Sequence, residues 1–441
     1  MKKKYIAFVV IIVAVLVAAG VIFSKPQSET AYLKKNTKEL KLDKPEDYSD
    51  LKVISNSIED KEIIFTGEGH GVKQNTDIQF KFLNYLIDNW DLRYYVIETG
   101  YSEAMMLNEY LATGNEEILK ETFQEWSAFR ATKEDFSMIK KLYEKNKNLP
   151  EGKKVTILGI DSASMSEGHI KKYMNIIIGK VGTLPEELKV FENNLNKLDL
   201  VGVNTTKFHL KKEEIQEKKK TILEIVNDME NHIKDNRELY EKSFKEDLFN
   251  IEFILENIKD LQTLPKTFGS QPDIRTDFEL LSMRENYTYK NFKKLCDHYP
   301  KGKYYFHFGG KHSVLKEIWG LENIAIKLQK DDTFKDKIYA IRTYYGVGTS
   351  MGAEVEQPVY SNIPTELEKQ LQTVKGEFGD LIIDLNNRRS PIKNTLNLNY
   401  FEPAEREVLK PDSDTKTTDY FQGIIIIKNP KGGTAYSVFP D

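Results

Sequence analysis

A carboxylate and an imidazole, those of Glu68 and His70, lie between three glycines in the segment 67–71, which reads GEGHG. Glycines allow a sharp turn and a close approach to a ligand, so both side chains stand with little bulk around them. The preceding residues 62–66 read EIIFT, an apolar run typical of a strand buried on both faces of a parallel sheet. Ligands bind at the ends of strands in open α/β sheets, which makes this turn a candidate site.

Three further strand-like runs lead into polar side chains of the same kinds. YYVIE ends at Glu98, VTILGID ends at Asp161, and YYFHFGGKHS contains His307 and His312. The strand–helix–strand order that leads from the GEGHG strand to Glu98 is typical of a βαβ unit, whose strands are parallel. Parallel strands end at the same edge of a sheet, so we expect these side chains to converge on one crevice.

The residue types are those of a hydrolase that activates water. An imidazole with a pKa of about 6.5 can take a proton from water, and a carboxylate behind it can fix its tautomer. A second imidazole can donate to a developing oxyanion. The chain has no GxSxG elbow, and Cys296 has no histidine placed around it as a base. A His–Glu pair acting on water is therefore the simplest hydrolytic scheme.

Each candidate also has a structural explanation. Glu68 could accept backbone N–H groups in its own turn, and Asp161 could cap a following helix. His307 is expected to point to the opposite side of its strand from its two phenylalanine neighbours, which leaves its role ambiguous. The other histidines lie on polar stretches and are predicted to be surface residues; they are His169, His209, His232 and His298.

A metal site is the competing chemistry, because two histidines and two or three carboxylates could hold Zn²⁺ or Mn²⁺. No HxxxH or HxH pair fixes the geometry of such a site. We therefore predict no metal and no cofactor.

The patterning predicts an α/β fold with a mostly parallel central sheet flanked by helices. Between about 186 and 264, apolar residues recur at intervals of three and four positions, with charged residues between them. This pattern indicates an inserted helical hairpin. Ser102 is expected to cap a helix that ends near Gly114. Later strands are predicted at 337–345, 380–385 and 423–428, and a loop is predicted at 346–364.

The N-terminus predicts a membrane anchor. Lys2, Lys3 and Lys4 precede an uncharged run from Tyr5 to Phe23, which approaches the ~20 residues that span a bilayer. We predict a signal anchor or signal peptide at 1–24, a polar linker and lead-in at 25–60, and the α/β domain at 61–441. The domain would lie outside the cytoplasmic membrane, held by the N-terminal helix alone or secreted after cleavage.

Composition limits the partners. The 441-residue chain carries a formal net charge of -4, so nucleic acid is not an expected partner, and its one cysteine excludes an intrachain disulfide. A small-molecule substrate is the expected partner, and the sequence does not define an oligomeric state.

Several blocks of the chain, taken in order, resemble the erythromycin esterase family. The GEGHG turn is similar to the family's GExxHG but one residue shorter, the strand end at Glu98 resembles its acidic strand end, and Gly309 to His312 resembles the block with its last catalytic histidine. The other similar blocks are SEAMMLNEYLATG at 102–114, the region of Trp126, LGID at 158–161, MREN at 283–286 and YFQGIIIIKN at 420–429.

This resemblance covers most of the chain beyond Asp60 and implies metal-independent hydrolysis of an ester or lactone. It assigns water activation to His70, beside Glu68, with Glu98 orienting and His312 assisting. Asp161, Arg284 and His307 are the candidate supporting residues.

Two alternatives remain at this stage. The family often has His-Asn-x-His where this chain has GGKH at 309–312, so a ligand-binding or non-catalytic protein of the same fold is one alternative. A metal-dependent hydrolase that uses the same residues is the other.

Overall fold

The computed structural model describes residues 28–126, 131–203, 211–265, 274–352 and 355–436. The predicted anchor at 1–24 and His209 lie outside these residues. Within the described ranges, no helix combines the length and the apolar character that crossing a bilayer requires.

The centre of the fold is an eight-stranded sheet in the order β1-β9-β10-β6-β2-β5-β3-β4. From β10 to β4 all neighbouring strands are parallel, whereas β9 is antiparallel to both β10 and β1. The predicted α/β class with a mostly parallel sheet is confirmed. The strands of the described residues are β1 Thr37–Glu39, β2 Ile63–Glu68, β3 Leu92–Ile97, β4 Thr156–Gly159, β5 Lys303–Gly309, β6 Ile338–Tyr345, β7 Gly348–Met351, β8 Glu356–Val359, β9 Leu381–Asp384 and β10 Gly423–Ile427.

Helices cover both faces of this sheet. Their bounds are α1 Glu29–Asn36, α2 Ser55–Ile58, α3 Lys73–Asn89, α4 Tyr101–Thr113, α5 Glu116–Gln124, α6 Lys133–Asn146, α7 Glu167–Val181, α8 Lys189–Val201, α9 Lys212–Asp235, α10 Arg237–Phe244, α11 Asp247–Thr263, α12 Ile274–His298, α13 Ile324–Lys330, α14 Thr365–Lys375 and α15 Pro403–Val408.

Two consecutive residues of β5 show which helices cover which face. Tyr305 stacks on Phe82 of α3, with ring centroids 5.9 Å apart, and Phe306 meets Phe292 of α12 at 5.0 Å. Successive side chains of a strand point to opposite faces, so α3 and α12 lie on opposite sides of the sheet. Both faces of the central strands are therefore buried, which explains their continuous apolar sequences.

The segment predicted as a polar linker and lead-in at 25–60 packs against the sheet from Glu29 onward. Strand β1 forms the edge of the sheet by pairing with β9, and Tyr32 and Leu33 of α1 are fully buried. The hydroxyl of Tyr32 donates to the carbonyl oxygen of Asp384 at 2.8 Å. Polar residues surround these few buried side chains in the sequence, so the apolar pattern that would predict α1 and β1 is weak.

Two other local predictions are corrected. The predicted loop at 346–364 contains the hairpin β7–β8, paired from Gly348 with Val359 to Met351 with Glu356. Ser102 does not cap α4. The helix begins at Tyr101 and its N-cap is Gly100, so Ser102 lies within the first turn, where it is fully buried.

The region predicted as a helical hairpin holds four helices in the described residues, α8 to α11, rather than two. Helix α9 packs against both α8 and α11.

The turn that carries His70 is held by segments distant in sequence. Gly71 has a left-handed backbone with φ +76°, and its carbonyl accepts the N–H groups of Met351 at 2.8 Å and Gly433 at 2.9 Å. Val72 forms a β-bridge with Gly432, and the Lys73 N–H donates to the carbonyl of Lys431 at 2.8 Å. The hairpin β7–β8 and the segment 431–435 therefore hold the turn in place through backbone hydrogen bonds.

We expect Gly71→Ala to be destabilising. A Cβ at this position would lie 2.0 Å from the Met351 carbonyl oxygen, and the positive φ adds about 1–2 kcal/mol of strain. Thermal unfolding should therefore show a clear fall in Tm. Gly179→Ala is the matched control, because it lies in α7 with no atom within 4 Å of its added Cβ and should leave Tm unchanged or raised. Equal Tm values for the two variants would contradict this account of the turn.

Candidate active site

Four strand ends and one helix bring the candidate side chains together. Glu68 ends β2, Glu98 follows β3, and Asp161 lies two residues beyond β4. His307 lies within β5 and His312 just after it. Because β2, β5, β3 and β4 are parallel neighbours, all of these groups lie at the same edge of the sheet. Helix α12 supplies two more, Arg284 and Glu285, from the side.

Glu68 is shared by two histidines. Its Oε1 lies 2.9 Å from Nδ1 of His70, and its Oε2 lies 2.7 Å from Nε2 of His307. The register of the sheet pairs Thr66 with His307, and the Thr66 hydroxyl lies 2.7 Å from the other ring nitrogen, Nδ1. The Tyr305 hydroxyl lies 2.8 Å from the Thr66 hydroxyl. A continuous hydrogen-bonded chain thus runs from Tyr305 through Thr66, His307 and Glu68 to His70.

This chain has a consistent direction when both histidines are neutral. Tyr305 donates to Thr66, Thr66 donates to Nδ1 of His307, and Nε2–H of His307 donates to Glu68. Nδ1–H of His70 donates to the other oxygen of Glu68, which puts the lone pair of His70 on Nε2. Burial alone would raise the pKa of Glu68, but the adjacent His307 and His70 hold it well below its usual range, so the carboxylate is ionised.

A second network surrounds Arg284. Its Nη2 donates to Glu98 at 2.5 Å and to Asp161 at 2.7 Å, and its Nε donates to Asp161 at 3.0 Å. The other oxygen of Glu98 accepts the N–H of Gly309 at 2.7 Å. Asp161 also caps the short helical turn Ser162–Ser164 by accepting the N–H of Ala163, so one carboxylate both caps this turn and binds Arg284.

His312 joins this second network. Its Nδ1 contacts Glu285, whose other oxygen accepts the N–H of Ile324 at 2.7 Å, and its Nε2 lies 3.6 Å from Glu98. Burial lowers the pKa of His312, but Glu285 and Glu98 outweigh this and raise it overall. The imidazolium form of His312 is therefore favoured.

The two networks meet at Gly309. A Cβ built there would lie 3.2 Å from Glu98 Oε2 and 3.4 Å from His70 Nε2, so a side chain at this position would crowd both groups and push them slightly away from the strand. His70 is 42 % exposed, whereas His307 is 5 % exposed. His70 is thus the member of the chain that a substrate can reach.

Hydrogen bonds fix the backbone beneath His70. The N–H of Gly69 donates to the Tyr345 hydroxyl at 2.7 Å, and its carbonyl accepts from the Asn75 side-chain amide at 2.6 Å. The Tyr345 hydroxyl in turn donates to the Asn75 side-chain oxygen at 2.8 Å. The turn is consequently tied to β6 and to the start of α3.

A cavity of about 130 Å³ lies beside His70, between the sheet and helices α3 to α6. Glu68, Glu98 and His307 line one side of it, and Asp135 and Lys73 contribute further charged groups. Its apolar walls are Tyr95, Leu107, Phe123, Trp126, Met138 and Ile139.

The structure brings together all seven side chains singled out in the sequence, namely Glu68, His70, Glu98, Asp161, Arg284, His307 and His312. It places Glu68, not Glu98, against Nδ1 of His70. Sequence reasoning missed Glu285, Thr66 and Tyr305. Glu285 adjoins Arg284 in the MREN block, and Thr66 lies two residues before Glu68 on the same strand face, which were the available signals.

The prediction of a surface position for His169 is wrong. His169 is fully buried, with Nε2 2.8 Å from the carbonyl of Thr122 and Nδ1 3.4 Å from Glu103, which is also fully buried. His298 is exposed at the end of α12, and His232 is half-buried beside the Tyr240 hydroxyl.

In the part of the chain that the structure describes, no group of three or more His, Cys, Asp or Glu side chains is arranged to hold a metal ion. The acidic and basic groups of the site hydrogen-bond to one another, as Glu68 does with His70 and His307.

Comparison with solved structures shows the fold. A Bacillus cereus protein aligns over 92% of this chain and 98% of its own, at 17% identity and a TM-score of 0.66. A succinoglycan biosynthesis protein covers 93% and 99% of the two chains at 16% identity and a TM-score of 0.63. A mutant erythromycin esterase in its open conformation covers 90% and 98% at 13% identity and a TM-score of 0.59. No family profile matches the sequence, and no curated protein matches it significantly.

We expect Glu98 to make stability depend on pH in the acid range. Burial raises its pKa, but His312, Arg284 and His70 lower it from 4.5 to about 2. A depressed carboxyl pKa adds stability above about pH 4.5 that is lost as the pH falls toward 2, by roughly 3 kcal/mol in this case. Urea unfolding of the wild type between pH 6 and 2 should show this loss.

Glu98→Gln should be less stable at pH 6 and should lose less stability on acidification. The exposed Glu187→Gln is the control and should follow the wild-type curve. Parallel curves for Glu98→Gln and wild type would rule out an ionised, stabilising Glu98.

Proposed function

We propose that this protein is a hydrolase that cleaves an ester or lactone of a small molecule with water activated by His70. The observation that carries the proposal is the contact of 2.9 Å between Glu68 and Nδ1 of His70. It makes a carboxylate–imidazole pair at an exposed strand end, which is the arrangement that general-base catalysis requires. The fold shared with an erythromycin esterase supports the reaction type.

In the proposed mechanism, Nε2 of His70 takes a proton from water as the oxygen attacks the carbonyl carbon of the ester. Ionised Glu68 stabilises the imidazolium that forms. The tetrahedral intermediate carries an oxyanion, for which the imidazolium of His312 is the proposed donor. Collapse of the intermediate breaks the bond to the alcohol, which receives the proton from His70, and leaves the carboxylic acid.

Glu98 has a positioning role in this scheme. It binds the Arg284 guanidinium and the N–H of Gly309, and it lies 3.6 Å from Nε2 of His312. It therefore keeps the end of β5 and the second imidazole in place, while the tautomer of His70 depends on Glu68.

We also propose that the reaction takes place outside the cytoplasmic membrane. The support is the sequence alone, in which three lysines precede the uncharged run from Tyr5 to Phe23. The only membrane contact proposed is through that segment.

His70→Ala should lose about 10²-fold or more in kcat/KM, the usual contribution of general acid–base catalysis. The assay is a panel of carboxylic esters and lactones offered to the full-length protein. His298→Ala is the control, because His298 lies about 20 Å along α12 from Arg284, at 1.5 Å per residue, and should leave the rate unchanged. Equal rates for His70→Ala and wild type would end the proposal.

The same assay separates water activation by His70 from metal catalysis. Activity should survive exhaustive chelation with EDTA. Loss of activity that Zn²⁺ or Mn²⁺ restores would make these residues metal ligands and the proposed mechanism wrong.

His307→Leu should move the acidic limb of the pH–rate profile upward by about one pH unit. The substitution removes one donor from Glu68, so more of its charge acts on His70 and the imidazolium becomes more stable; one charge-assisted hydrogen bond amounts to about 1.5–3 kcal/mol. His307→Gln restores a donor and should restore the profile. An unchanged limb in His307→Leu with normal folding would show that His307 does not act on His70 through Glu68.

A further inference from the structure

We infer that the cavity beside His70 selects substrates by admitting one compact, uncharged, mainly apolar group of about the size of a benzene ring. This inference rests on the proposed function, since the group would flank the ester bond that His70 attacks. Its first support is size. The cavity has a volume of about 130 Å³, and an apolar protein cavity of roughly 150 Å³ is known to hold benzene.

The deep walls of the cavity are apolar. Leu107 of α4, Phe123 of α5, and Met138 and Ile139 of α6 line it and are each at most 7% exposed. These four side chains belong to the main hydrophobic cluster of the protein, which also includes the buried residues of β2, β3 and β5. A group placed here is removed from water on several sides, which favours an apolar group.

Several polar groups of the walls have partners within the protein, whereas the indole N–H of Trp126 and the hydroxyl of Thr99 have none among the described residues. Thr76 and Thr132 each donate to Asp135 at 2.6 Å, and the hydroxyl of Tyr95 donates to Gln79. A polar substituent away from Trp126 and Thr99 would compete with these bonds or remain unpaired, and an unpaired buried polar group costs free energy. The walls therefore favour a group that is mainly apolar and carries at most one or two polar atoms.

The charged groups of the lining act against an anion. The carboxylates of Glu68, Glu98 and Asp135 face one ammonium group, that of Lys73, which is 47% exposed and lies 4.0 Å from Glu134. Burial raises the pKa of Asp135 to about 6, so it is mostly ionised at neutral pH. An anionic group would therefore meet net negative charge.

A cation gains little in the same place. Glu68 is paired with two histidines, Glu98 with Arg284, and Asp135 with two hydroxyl groups. A cation would give up its hydration for carboxylates whose oxygens already accept hydrogen bonds from the protein, and such desolvation is expensive. The uncharged class is therefore the one that the lining favours.

Probes of equal size test the charge requirement. Benzyl alcohol, benzoate and benzylamine differ in charge at nearly constant volume, and 2-naphthalenemethanol is uncharged but larger. Isothermal titration into the full-length protein at pH 7.5 should show saturable binding of benzyl alcohol with Kd on the order of 1 mM. Each of the other three should bind at least about tenfold more weakly, which is 1.4 kcal/mol.

A filling substitution tests the place of binding. Ile139→Phe puts a ring into the cavity, so it should keep a Tm close to wild type while weakening benzyl alcohol at least about tenfold. Leu142→Phe is the matched control on the same helix, since Leu142 is fully buried and does not line the cavity. It should lower Tm through overpacking and leave the affinity of the folded protein unchanged.

The outcomes separate this inference from the proposed function. Tight binding of benzoate, benzylamine or the naphthyl probe, or of benzyl alcohol to Ile139→Phe, would overturn the inference even if esters are hydrolysed. Binding of benzyl alcohol as expected, without hydrolysis of any ester, would support the cavity and refute the hydrolase.

Discussion

One ionised carboxylate between two imidazoles determines the architecture of this site. Glu68 carries a single negative charge and has little contact with water, so its two oxygens depend on His70 and His307 for hydrogen bonds. The two rings are unequal, because one is exposed and the other is buried against Thr66. The buried ring stabilises the charge, and the exposed ring is left oriented for chemistry. The other buried charges at this edge of the sheet meet the same requirement, because each has a partner of opposite sign or a hydrogen-bond donor.

The parallel sheet places these charged side chains next to one another, because its neighbouring strands end at the same edge. Strand β5 lies between β2 and β3, so its side chains meet Glu68 on one side and the end of β3 on the other. Successive residues of β5 serve opposite faces, with His307 in the chain from Tyr305 to His70 and Phe308 on the face of α12. Gly309 then allows the networks of Glu68 and Glu98 to approach the same strand end.

Much of the site could be predicted from the sequence because it follows from local rules. Apolar runs ending in Glu68, Glu98, Asp161 and His312 indicate parallel strands, and parallel strands put their ends at one edge. The orientation of His307 could not be predicted in this way. It depends on β5 being inserted between β2 and β3, which is a pairing between segments more than 200 residues apart.

Residues that reach the site or become buried through tertiary packing could not be predicted from local sequence patterns either. Arg284 and Glu285 reach the site from a helix, and nothing in their spacing shows which strand ends they meet. His169 lies in the polar sequence SEGHI but is buried by contact with Glu103 of α4 and Thr122 of α5. The hairpin β7–β8 has half-buried or exposed residues throughout, so it lacks the apolar alternation that marks a strand.

The bridge between Val72 and Gly432 has a consequence for how the protein is made. The turn with His70 is synthesised early, yet Lys431 and Gln74, whose hydrogen bond helps to close it, are 357 residues apart. A nascent chain can form the first strand–helix–strand unit long before residues 431–435 leave the ribosome. During that interval the turn lacks its outer support, so the geometry of the site is completed only after residues 431–435 have been synthesised. A product that lost residues 431–435 could keep most of the sheet and still lack a properly closed site.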